Sequence, residues 1–83
     1  MKFVANINVM PLKELLDPQG KAVNSSLHNL GLIGVHDVRL GKHITMHIDA
    51  QGKDEAEKMT HEACKKLLAN QVMEAFDYTV TEA

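Results

Sequence analysis

The order of signals along the chain predicts an α+β domain of ferredoxin-like plan, βαββαβ, with a four-stranded antiparallel sheet and two helices on one face. Three observations carry this: alternating apolar residues near both ends, two segments with helical spacing between them, and a pair of short apolar runs around Gly41-Lys42-His43. At 83 residues the chain holds one domain, spanning 1–83, and contains no Pro/Gly/Ser-rich linker.

In residues 2–10, Phe3, Ala5, Ile7 and Val9 alternate with Val4, Asn6, Asn8 and Met10, the pattern of a half-buried strand. Pro11 removes a backbone donor, and residues 12–16 read as a connection. Asp17-Pro18 then opens a helix, since Asp is a good N-cap and proline fits the first helical position. Ala22, Val23, Leu27 and Leu30 recur at helical spacing, and Gly31 suits the left-handed residue that ends a helix at about position 30.

Two strands are predicted next, at 35–40 and 44–50. If 41–43 form an odd-length loop, Leu40 pairs with Ile44 and Val38 with Met46, so both apolar sets face one core. That register puts Asp37, Arg39, Thr45, His47 and Asp49 on the opposite face, together with Asn6 and Asn8. Asp54 and Glu57 have capping-box spacing for a second helix. Its apolar stripe is Ala56, Met59, Ala63, Leu67 and Cys64, with Lys65 and Lys66 at the negative end of its dipole and Asn70 as its stop. Phe76, Tyr78 and Val80 alternate with Asp77, Thr79 and Thr81 in a last strand.

The charge of -2 and a pI near 6.2, with Lys and Arg interspersed among acids, leave no basic patch for nucleic acid. One cysteine, Cys64, precludes an internal disulfide, and no run approaches the ~20 apolar residues of a membrane span. The expected setting is the cytoplasm. A domain of this size has a thin core, burying roughly 60% of its unfolded surface, which favours a homo-oligomer, a dimer or a dimer of dimers.

Five histidines invite a metal, but only His61 and Cys64 stand at ligand spacing on one helix, two ligands where zinc needs three or four. The same pair would be needed for a nucleophilic thiol, yet Cys64 borders an apolar stripe and reads as a core thiol. Asp54 and Glu55 read as a helix start rather than a general acid and base. The glycines in Leu30-Gly31-Leu32-Ile33-Gly34 follow a helix instead of opening one, so they form no phosphate cradle. The residues by themselves describe a binding or assembly module with no catalytic group, no metal and no cofactor of its own.

Leu16-Asp17-Pro18-Gln19-Gly20, residues 35–42 (Val-His-Asp-Val-Arg-Leu-Gly-Lys) and residues 64–70 (Cys-Lys-Lys-Leu-Leu-Ala-Asn) resemble the characteristic stretches of the PurS family in order and spacing, and the likeness runs through the last strand. The resemblance implies the small subunit of a three-component ligase. A PurL-like large subunit would bind ATP and Mg and activate formylglycinamide ribonucleotide, a PurQ-like glutaminase would release ammonia, and the small subunit would bridge them and aid ammonia transfer. Its implied intersubunit residues are Arg39 and Lys42, then Asp17, Gln19 and Gly20. A stand-alone regulatory module binding a small effector at a dimer interface is the alternative.

Overall fold

The computed structural model describes residues 1–13, 15 and 17–83. Its elements are strand β1 (Lys2–Pro11), helix α1 (Pro18–Asn29), strand β2 (Lys42–Asp49), helix α2 (Lys53–Ala63) running on into a π-helical turn (Cys64–Leu68), and strand β3 (Glu74–Glu82). The sheet has three strands in the order β2-β1-β3, antiparallel throughout. The expected ferredoxin-like four-stranded sheet is therefore absent, and so is the strand at 35–40. The expected connection over residues 12–16 falls partly on Glu14 and Leu16, which lie outside the described residues.

The missing strand has identifiable causes, most of them contacts with residues distant in sequence. Lys42 and His43, assigned to a loop by the parity argument, are already in β2 opposite Val9 and Asn8, so no turn is left for a hairpin. The segment before them spends its polar groups elsewhere. Asp37 has φ 56, which breaks an extended run. The Leu40 N–H donates to Asp17 Oδ2 at 2.9 Å, and the Val35 carbonyl accepts from His28 Nε2 at 2.7 Å. Gly41 passes so close to Met10 and the Val9 carbonyl that a Cβ there would collide with them.

The alternation read in β1 is the core. Phe3, Ala5, Ile7 and Val9 are fully or almost fully buried, opposite Ile48 and Ile44 on β2 and Val80, Tyr78 and Phe76 on β3. Helix α2 covers this face through Ala56, Thr60 and Cys64, at i, i+4 and i+8. The expected stripe is rotated: Met59 and Leu67 are exposed, while Thr60 lies in the core because its hydroxyl donates to the Ala56 carbonyl at 2.9 Å. The expected capping box does not form either. The helix starts at Lys53 after Gly52, with no side-chain cap, and Asp54 and Glu55 lie in its first turn, where acids suit the dipole.

Helix α1 has the predicted ends. Asp17 Oδ1 accepts from the Gly20 N–H at 3.0 Å, and the C-terminus closes with Gly31 N–H to His28 O and Leu32 N–H to Leu27 O around Gly31 at φ 95. It does not share the sheet face with α2, however, and its one buried residue is Gly20. The two-helix layer is thus corrected to one helix on the sheet and one arm. The radius of gyration is 16.4 Å with extents of 51 × 26 × 14 Å, against about 12 Å for a compact chain of this length. Leu30, Leu32 and Ile33 at the arm's far end stay exposed.

Candidate functional site

The arm is joined to the sheet through one polar node, and three of the five residues singled out from the sequence build it. Asp17, capping α1, holds Gly20 with one carboxylate oxygen and Leu40 with the other, while Arg39 Nε lies 3.8 Å from the second. These two backbone donors, Leu40 first and Gly20 next, keep the Asp17 carboxyl below its usual range, with a smaller contribution from the Arg39 charge. The Arg39 guanidinium donates to the carbonyls of Leu12 (2.6 Å), Lys13 (3.3 Å) and Pro11 (3.4 Å). A planar fork of donors is suited to collecting several carbonyls where the chain leaves β1. Gly20 lies against the Val38 carbonyl and the Asp17 carboxylate, with no room for a Cβ.

Gln19 and Lys42 are placed differently. Gln19 is exposed on the first turn of α1. Lys42, at the start of β2, reaches the Leu68 carbonyl at 3.5 Å and Glu74 at 3.8 Å, tying β2 to the π-helical turn and β3. Arg39 and Asp37 do not lie on the open sheet face, because the strand that would have carried them is not formed. That face is built by Asn6, Asn8, Thr45 and His47 as expected, with His43, Asp77, Thr79 and Thr81 beside them. Across it, His43 Nδ1 donates to Asn8 Oδ1 at 2.8 Å, and Asn8 Nδ2 donates to Asp77 Oδ1 at 3.0 Å.

Between α1 and residues 37–39 lies an open cleft of about 700 Å³, lined by Leu15, Asp17, Lys21, Asn24, Ser25, Asp37, Val38 and Arg39. Lys21, Asn24 and Ser25 were not singled out from the sequence. Their signal was present, since with Asp17 they recur at i, i+4, i+7 and i+8 as a polar stripe on α1. His61 and Cys64 do not form a site. Cys64 is buried in the core, where burial raises its thiol pKa and holds it protonated, while the exposed His61 ring packs edge-on to Phe76 and Tyr78. Among the described residues no three His, Cys, Asp or Glu side chains are grouped to hold a metal.

The profile of the PurS family, described as phosphoribosylformylglycinamidine (FGAM) synthase, matches residues 4–82. The chain belongs to the PurS family. The PurS subunit of Bacillus subtilis FGAM synthase is 44% identical over 72 residues, covering 86% of this chain and 84% of that subunit. The solved B. subtilis PurS superposes with a TM-score of 0.87 at 38% identity, over 96% of this chain and 99% of the other. The structure of PurLQS from Thermotoga maritima contains a chain that matches with a TM-score of 0.84 at 31% identity, over 100% and 99% of the two chains. As a PurS chain it is a subunit of FGAM synthase, and its work lies in purine biosynthesis.

Proposed function

We propose that this chain is the non-catalytic accessory subunit of an FGAM synthase, bridging a PurL-like synthetase and a PurQ-like glutaminase and aiding ammonia transfer between them. The observation that carries it is the full-length match to a chain of the T. maritima PurLQS assembly. ATP and Mg serve the large subunit in this reading, and the complex works in the cytoplasm. In this chain no helix of the described residues is long and apolar enough to cross a membrane.

The shape supports a bridging role. A thin sheet domain with a projecting arm offers surface well beyond its own core, and Leu30, Leu32 and Ile33 at the arm tip have the apolar character of contact residues. Arg39, Asp17 and Gly20 serve the intersubunit contacts by fixing the arm on the sheet; Gln19 presents an exposed group on the arm and Lys42 one at the start of β2. The chain also self-associates, its thin core being completed by further copies. Affinity purification of the tagged protein should recover a large ATP-binding chain and a glutaminase. Reconstitution should then show glutamine-dependent turnover only when the small subunit is present, and turnover with ammonia that does not require it. Glutamine-dependent turnover by the other two chains alone would refute the reading.

A further inference from the structure

The cleft between α1 and residues 37–39 holds polar groups that the fold itself does not use. Its volume of about 700 Å³ lies in the range of small-molecule sites, which combine apolar walls with a few polar groups. Two of its charged residues are committed elsewhere. Arg39 donates to the carbonyls of Leu12, Lys13 and Pro11, and the Asp17 carboxylate accepts from the Gly20 and Leu40 N–H groups. The other two are not. Among the described residues the Lys21 ammonium and the Asp37 carboxylate enter no ion pair. They belong to opposite walls, Lys21 to α1 and Asp37 to the segment facing it, and the walls converge where Gly20 lies against the Val38 carbonyl.

Two further observations fall in the same cleft. The amide oxygen of Asn24, one helical turn after Lys21, is buried, and no donor among the described residues reaches it. A buried acceptor without a donor is unfavourable, and rotation about the last side-chain bond offers it to a donor in the cleft. Asp37 holds φ 56, a left-handed conformation that is uncommon outside glycine and is found disproportionately at binding sites.

What the cleft leaves unused is thus one cation, one anion and one neutral acceptor, with Leu15 and Val38 as apolar lining. A simple anion would meet Lys21 but also the Asp37 carboxylate, and a simple cation would meet the reverse conflict. A zwitterion answers both. Its carboxylate suits Lys21, and its ammonium, with three N–H donors, suits the Asp37 carboxylate and the Asn24 oxygen.

We propose that this cleft binds a free α-amino acid, its carboxylate on Lys21 and its ammonium on Asp37 and Asn24, and that the bound molecule ties α1 to residues 37–39. The ligand adds a tie at the arm root beside those made by Asp17 and Arg39, so the concentration of the amino acid sets how firmly the arm is held. The site is distinct from the bridging role and is read on the full-length chain by itself.

Thermal melts of the full-length protein with each standard α-amino acid in turn should find at least one that raises the melting temperature saturably and slows hydrogen exchange of the α1 amides. The corresponding decarboxylated amine and N-acetyl acid should do neither. Lys21→Met and Asp37→Asn, both at exposed positions, should keep the circular dichroism of the wild type and raise the half-saturating concentration about tenfold or more, the loss of one charge-assisted hydrogen bond. Asn24→Leu should weaken the response likewise without lowering the melting temperature of the free chain, since it removes an unsatisfied oxygen. A response to no amino acid, an equal response to the amine, the N-acetyl acid or inorganic phosphate, or an undiminished response in Lys21→Met and Asp37→Asn would overturn the proposal.

Discussion

Asp17 accepts backbone N–H groups from two segments far apart in sequence, Gly20 on its own helix and Leu40 beyond the arm, so its ionised form is favoured in the folded chain. The folded-state pKa therefore lies below that of the unfolded chain, and the stabilisation is full above the ordinary aspartate value of about 3.9. It is lost as pH falls through the lowered folded value. Thermal melts of wild type and Asp17→Ala should differ most near neutral pH and converge in strong acid. A gap that persists at the lowest pH would show that Asp17 acts through packing alone. Gly20 is constrained by space, so Gly20→Ala should destabilise by roughly 1–3 kcal/mol in chemical denaturation, because a backbone carbonyl stands where the methyl must go. Arg39→Glu should weaken the intersubunit contact that the family resemblance implies for this residue. With its guanidinium donating to three carbonyls at the exit of β1, it should also loosen the arm, read as a drop in thermal stability of the isolated chain. Arg39→Lys should recover this only in part, since an ammonium cannot reproduce the fork.

At the scale of elements, the two helices have opposite standing. Helix α2 and the π-helical turn that continues it seal the core with Ala56, Thr60 and Cys64, whereas α1 buries only Gly20. Local stability follows buried apolar contact, so hydrogen exchange on dilute protein should show α1 amides opening well before those of β1 and α2. Equal protection of both helices would contradict the picture of an arm held at its root. Cys64→Ala should cost about 1 kcal/mol of stability and leave glutamine-dependent activity of the assembled complex unchanged, because the thiol fills core space and is held protonated. A loss of turnover with assembly intact would show that the thiol takes part in the reaction.

The whole molecule is 14 Å thick along its shortest axis and 51 Å along its longest, a shape that leaves much surface for so short a chain. An oligomer at micromolar concentration is the expected state, and sedimentation equilibrium measures it. Arm-tip substitutions such as Ile33→Asp should leave the secondary structure of the isolated chain unchanged and weaken its contacts with other subunits, since Ile33 is exposed and takes no part in the core.

The alternation of β1 and β3, the Asp17-Pro18 helix start and the Gly31 stop were legible from the residues alone, because each is set by interactions within one turn or one strand. So was the family, carried by short stretches of which Asp17 to Gly20 and Arg39 to Lys42 now form or flank the arm root. Which way the apolar residues of α1 face was not legible. Helical spacing marks a stripe but does not say whether that stripe meets the chain's own sheet. The fate of residues 35–40 was likewise a tertiary decision: their apolar alternation suits a strand, yet Asp17 and His28 claim backbone groups a strand would need, and the carbonyls after β1 hold the Arg39 side chain. Local sequence sets what each segment can form, and competition for distant hydrogen-bond partners sets which of those forms is kept.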